Sequence, residues 1–270
     1  MSFINSNLAK RVAVAVVAAP VIIILALIDN HIPWKLLTAV LTILGLYEFA
    51  SMAFSKDDPA DKILLITSGT IMQILLLWDF RYTMLIFPWA AIMILTSIVL
   101  TTRTSQDAVQ RLGKLFLGVF YIAMLFTFVA ALKTFPQGGK WIIFTLTVVW
   151  FSDTGAYFMG KAFGKHKLSM ISPNKTWEGS AGGILASIGA GALGMLYLDG
   201  FSIAVLIILS IFAGIMGQIG DLAESLIKRS CNVKDSGNLI PGHGGILDRF
   251  DALLFAAPII TGYLIMSSMN

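Results

Sequence analysis

Long apolar runs, broken by short polar punctuation, set the pattern of this 270-residue chain. They lie near 12–28, 34–54, 63–78, 82–101, 115–132, 141–160, 180–198, 201–228 and 252–269. A bilayer-spanning helix needs about 20 mostly apolar residues. The pattern therefore predicts an all-α, polytopic integral membrane protein with about nine transmembrane helices, the third being the shortest. Residues 1–134 read as a scaffold of membrane helices with homodimer contacts in view. Residues 135–270 read as the half that carries chemistry, because both long polar loops, 161–178 and 229–249, fall there.

Composition agrees. Hydrophobic residues make up 57% of the chain and charged residues 13%, against about 25% charged in soluble domains. Mean hydropathy is +0.84. The first run follows Lys10 and Arg11, as a signal peptide would. It is long, holds Pro20, and lacks a clean small-residue cleavage site, so a retained span is expected. Cys231 is the single cysteine, which excludes an intrachain disulfide.

Charge distribution adds orientation. Of the nineteen Lys and Arg, nine spans place Lys35, Arg81, Lys133 and Lys140 on one side and the other fifteen on the opposite side. The positive-inside rule puts the N-terminus and both long loops in the cytoplasm. The net charge of +4 then serves membrane orientation, and no nucleic-acid partner is expected.

Ionisable residues at membrane depth are costly and mark function by default. Asp221, Glu224, Ser225 and Lys228 follow i, i+3, i+4, i+7 spacing and share one helix face. For Glu224 and Lys228 a self-paired helix end in water is a sufficient account. Asp221 follows GIMGQIG near apolar depth, where an unpaired charge favours a functional role. Asp153, in WFSDTGAYFMGK, fits either a functional group or a structural partner for a neighbouring helix's Lys or Tyr. Glu48 reads as an interhelical hydrogen bond.

The loop KAFGKHKLSMISPNKTWEG packs Lys161, Lys165, Lys167 and Lys175 beside Ser172, Asn174 and Thr176. Basic decoration of a cytoplasmic loop is the plain account. However, Pro173 fixes a turn, residues 172–176 can cap the next helix, and the N–H groups of a helix start favour an anion. No GxxxxGK[ST] is present, which excludes a P-loop nucleotidase. In the span that follows, Gly179, Gly183, Ser187 and Gly191 form one small-residue stripe, and Gly182, Ala186, Ala190 and Gly194 another. Such stripes let helices touch and are expected to press spans six, seven and eight together, bringing Asp153 near Asp221; a homodimer contact is the other use.

The second loop ends in GHGGILDRFD, with Asp248 and Asp251 at i, i+3. With Asp221 they form an oxygen-ligand set suited to Mg²⁺, which takes one or two protein carboxylates and completes its shell with water and phosphates. Lys228, Arg229, Lys234 and Arg249 would neutralise phosphate charge. His243 is flanked by glycine, and a lone loop His is ordinarily solvated. No Cys/His cluster has zinc-ligand spacing.

These segments resemble the signature of CDP-diacylglycerol synthases, the phosphatidate cytidylyltransferases. The likeness is carried by Ser225-x-x-Lys228-Arg229, Lys234-Asp235 and Pro241-Gly242-His243-Gly244-Gly245-x-x-Asp248-Arg249-x-Asp251. The runs from Ser172 to Gly179 and from Ser152 to Tyr157, and Gly220-Asp221-x-x-Glu224-Ser225, extend it to about a third of the chain. The resemblance implies transfer of the cytidylyl group of CTP to phosphatidic acid, giving CDP-diacylglycerol and pyrophosphate, with Mg²⁺, at the bacterial inner membrane. It implies roles accordingly. Asp221 and Asp248 meet the metal, with Asp251 and Glu224 as further or supporting ligands. Lys167, Lys175, Asn174 and Ser172 hold phosphates from the first loop. Lys228, Arg229 and Arg249 clamp triphosphate or lipid phosphate, and Lys234 and His243 add substrate contacts. Asp153 orients a lysine or binds a second cation. Two alternatives belong to other classes. A transporter needs polar residues through the full depth, whereas here they cluster at one side. A CTP-dependent lipid kinase shares the nucleotide and differs in its acceptor.

Overall fold

The computed structural model describes residues 16–55, 58–78, 83–101, 107–239 and 244–268. Among these, every regular element is helical: α1 (Val16–Leu27), then α2 (Ile32–Ala53), α3 (Pro59–Trp78), α4 (Thr83–Thr101), α5 (Ala108–Gly118), α6 (Leu125–Ala131), α7 (Gly138–Phe163), α8 (Trp177–Gly194), α9 (Ile203–Ser230) and α10 (Leu247–Ser268). A π-helical turn, Val119–Met124, joins α5 to α6. Six helices are long and apolar enough to cross a bilayer: α2, α3, the continuous Ala108–Thr134, α7, α9 and α10. The nine apolar runs each coincide with a helix, but α1, α4 and α8 fall short of that measure over their described residues. Six helices thus meet the measure among the described residues, where about nine spans were expected. The reason in α8 is composition: its small residues suit packing and lower its hydropathy.

The first half is tied across helices by polar contacts that a bilayer would otherwise leave unmatched. Trp34 donates Nε1–H to the Val129 carbonyl at 3.1 Å, and Gln73 donates to the Thr38 carbonyl at 3.3 Å. Arg111 grips the buried Asp61 through two contacts of 2.7 Å, fixing α5 to α3. A buried aromatic group around Trp141, with Phe144, Phe201 and Tyr263, closes the opposite end of the second half.

The second half is a tight α7–α8–α9 trio with α10 against α9. Its small-residue stripes explain the closeness. Gly182 and Gly194 face Met159 and Phe144 of α7, while Gly183, Ser187 and Gly191 face Gln218, Gly214 and Ser210 of α9. Both stripes are thus occupied within the chain by α7 and α9 together, which removes them as an argument for a homodimer contact.

Candidate active site

The α7–α8 loop and the end of α9 meet at one end of the trio. Thr176 caps α8 by accepting the Gly179 N–H at 3.1 Å, as the sequence suggests for a residue of its type. The loop is folded back on itself. Lys167 and Thr176 pair as an isolated bridge, Trp177 N–H donates to the His166 carbonyl at 3.0 Å, and Lys175 N–H donates to the Ser172 carbonyl at 3.0 Å. Glu178 holds the loop from the first turn of α8, outside the six long apolar spans. It accepts from the backbone N–H groups of Lys165 and His166 and meets His166 Nδ1 at 2.5 Å. The His166 contact, followed by these backbone donors, pulls the Glu178 carboxyl down to about 2.

This folding aims Lys175 inward, where its ammonium pairs with Asp221 of α9. The pair stands in a cavity of about 550 Å³ bounded by α7, α8 and α9. Asp153, Tyr157 and Lys161 line it from α7, Asn174 and Ser180 from the loop and α8, and Gln218 and Asp221 from α9. Gln218 holds the floor: its carbonyl accepts from the Ser180 hydroxyl at 2.5 Å, and its amide donates to Ser152 Oγ at 3.3 Å. Asp153 and Tyr157 are exposed, so the cavity is accessible between helices.

A second cluster lies one to two turns along α9. Lys228 pairs with Glu224 on its own helix and with Asp248 of α10 at 2.6 Å. All three side chains are largely buried, at 12%, 2% and 8% exposure. The self-paired, water-exposed reading of Glu224 and Lys228 is corrected here: the pair is internal, and Asp248 completes it. Asp248 has four donors in all, Lys228 Nζ, the Ser236 N–H and hydroxyl, and the Gly245 N–H. Gly244 keeps φ +81 beside it, and a Cβ there would stand 2.6 Å from Asp248 Oδ2. Glu224 Oε1 is buried without a hydrogen-bond partner. Asp251 lies between the clusters, close enough to Asp221 and Asp153 for their charges to interact, and its Oδ1 accepts its own neighbour's N–H from Ala252.

The structure thus brings together Asp153, Asn174, Lys175 and Asp221 in one cavity, and Glu224, Lys228 and Asp248 in an adjoining ion-pair cluster. Other candidates stand apart. Lys167 is exposed on the loop, Ser172 serves the turn through its carbonyl, and Lys234 and Arg249 are exposed. Arg229 donates to the Val233 carbonyl at 3.1 Å, bracing the end of α9. His243 lies outside the described residues. Among the described residues, no three His, Cys, Asp or Glu form a group that could hold a metal ion. Three contributors were not singled out from the sequence: Gln218, Ser180 and Ser236. A polar residue inside an apolar run was the available signal for Gln218; the serines gave none.

The donor set bears on Mg²⁺. The ion asks little of a protein, one or two carboxylate oxygens, with phosphates and water completing its shell. Asp221 supplies such a carboxylate at the cavity wall, so the residues present fit that demand once phosphates are bound.

Residues 9–267 match the cytidylyltransferase family. The phosphatidate cytidylyltransferase of Bacillus subtilis (strain 168) is 34% identical over 270 aligned residues, covering 94% of this chain and 96% of that protein. That of Staphylococcus aureus (strain COL) is 46% identical over a shorter alignment, 56% of this chain and 58% of the relative. That of Staphylococcus saprophyticus (strain ATCC 15305) is 48% identical over 49% and 52%. With a family match along nearly all of its length and a relative aligned end to end, the chain belongs to the cytidylyltransferase family.

Proposed function

We propose that this protein is the phosphatidate cytidylyltransferase of a bacterial cell membrane: it transfers the cytidylyl group of CTP to phosphatidic acid and releases pyrophosphate. The full-length similarity to enzymes of that name carries the reading. The cavity supports it, because a lysine–aspartate pair facing an opening between apolar helices suits a phosphate at the end of a lipid.

In the reaction, a phosphate oxygen of phosphatidic acid attacks the α-phosphorus of CTP. The bond from that phosphorus to the bridging oxygen breaks, and pyrophosphate leaves with the electron pair. The nucleophile is already an anion, so no strong base is required. The work is positioning and neutralisation of charge. Lys175, released from Asp221 by the incoming phosphates, would meet one of them, and Lys161 and Asn174 would line their path. Asp221 would hold Mg²⁺, which neutralises phosphate charge and orients the reacting groups. Asp248, Asp251 and Glu224 would join the metal only by giving up the partners they have here; otherwise they keep Lys228 and the α9–α10 connection in place. A second cation would belong near Asp153, where the acidic groups converge. The lipid would enter sideways between the helices, from the leaflet on the cytoplasmic side, where the basic loops are expected. Lys167, Ser172, Arg229, Lys234 and Arg249 are proposed as rim contacts for the triphosphate, and His243 as a further substrate-binding residue.

The test is pyrophosphate release by purified protein in detergent, with CTP, phosphatidic acid and Mg²⁺ each omitted in turn. Release that needs all three establishes the reading. CDP formation with a lipid alcohol in place of phosphatidic acid would overturn it.

A further inference from the structure

The buried carboxylate of Glu48 takes no part in the cavity, yet it accepts three hydrogen bonds. It sits in α2 at 2% exposure. Its Oε1 accepts the Ile246 N–H at 2.8 Å, and its Oε2 accepts the Leu247 N–H at 3.0 Å and the Ser236 hydroxyl at 3.1 Å. Leu247 opens α10, and the first N–H groups of a helix have no partner of their own. Glu48 therefore caps α10 from a helix about two hundred residues away in the chain. Ser236 carries the contact onward: its one hydroxyl proton is shared between Glu48 Oε2 and Asp248 Oδ2, at 3.1 and 3.0 Å, its N–H donates to Asp248 Oδ2 at 2.9 Å, and Asp248 Oδ1 receives Lys228 at 2.6 Å.

The surroundings are shaped for this carboxylate. A Cβ on Gly237 would stand 2.7 Å from Glu48 Oε1, and one on Gly245 would stand 2.5 Å from Oε2. One turn before Glu48, Gly45 lets Leu247 approach α2, where a Cβ would meet it at 3.1 Å. A carboxylate that only joined two helices would not need a serine and two glycines of the α9–α10 connection around it.

We propose that Glu48 is a positioning residue for the transferase reaction: by capping α10 and holding Ser236, it sets Asp248 against Lys228 and so fixes the α9–α10 ion-pair cluster that adjoins the cavity. This rests on the cytidylyltransferase reading and extends it to the first half of the chain. Glu48 touches no reacting atom; it acts through Ser236 and Asp248. The sequence-level reading of an interhelical hydrogen bond is met, with a partner helix that bears the site.

The variant is Glu48→Gln, which keeps the volume but turns one acceptor into a donor facing donors. Outer hydrogen-bond partners of this kind typically alter activity about 10–100-fold. Glu48→Gln should lower kcat by that factor, with KM for CTP within about threefold of wild type, the mark of an interaction that matters in the transition state. The Mg²⁺ concentration for half-maximal rate should rise. Asp61→Asn is the comparison: it breaks the pair between buried Asp61 and the partly exposed Arg111, away from α10, and should lower thermal stability with kcat per folded molecule and Mg²⁺ requirement unchanged. Hydrogen exchange adds a readout independent of turnover, since the Ile246 and Leu247 amides should lose protection in Glu48→Gln. Wild-type kcat and Mg²⁺ requirement in a folded Glu48→Gln would overturn the proposal. So would a loss that matches its unfolded fraction alone. Lost amide protection in a protein whose wild type makes no CDP-diacylglycerol would keep the cap and refute the transferase reading instead.

Discussion

At the residue scale both Lys175 and Lys228 are already paired with carboxylates. Asp221 has Lys175, and Glu224 and Asp248 share Lys228. In the first pair both side chains are partly exposed, at 26% and 38%, so incoming phosphate can exchange with it. In the second cluster burial makes the pairing structural. Asp221→Asn should therefore reduce pyrophosphate release by at least about 100-fold while membrane insertion and thermal unfolding stay near wild type; near-normal turnover would remove Asp221 from the metal. Lys228→Met should behave differently. It leaves two buried carboxylates without their cation, a loss of about 3–5 kcal/mol when one partner of a buried pair is removed. Thermal unfolding in detergent should show it, and adding Glu224→Gln should restore part of the loss.

At the element scale, the loop before α8 delivers Lys175, and Glu178 keeps that loop folded through His166 and two backbone N–H groups. Its carboxyl is held below the ordinary value of 4.5, at about 2. A depressed value means the hold is present in full above the ordinary value and is lost as pH falls toward 2. Glu178→Gln should thus speed hydrogen exchange at Lys165 and His166 at neutral pH. The gap from wild type should persist down to the ordinary carboxyl range and close below it. A gap that closes between pH 8 and 6 would place the hold elsewhere. The end of α9 is fixed in the same local way. Asn232 takes φ +57, and Val233 N–H returns to the Lys228 carbonyl at 3.0 Å, the hydrogen bond that closes many helix ends. That turn starts the connection toward Ser236 and α10.

At the scale of the whole molecule, the two halves meet where α2 caps α10. The cavity is built from residues of the second half, but Glu48 of the first caps the helix that carries Asp248. Chelation of divalent metal by EDTA should stop turnover without unfolding, because on the proposed reading the protein would offer the ion a single carboxylate at a cavity wall and the helices are packed without it. Full recovery on adding Mg²⁺, with an unchanged melting curve, is the expected result; loss of the folded state on chelation would make the metal structural.

The apolar runs determined the helices, since their length and the cost of unpaired backbone in lipid leave no other regular structure. The spacing of Asp221, Glu224 and Lys228 determined that they share a face, and the small residues before Leu198 determined where helices would touch. Tertiary structure decided the partners. That Lys228 bridges Glu224 and Asp248 across α9 and α10, that both glycine stripes are filled by α7 and α9, and that Lys175 reaches Asp221 all depend on helix contacts between distant residues. Glu48 shows the limit most clearly. Its sequence neighbours describe an ordinary apolar helix, and only the packing of α2 against the start of α10 supplies the N–H groups that its carboxylate requires.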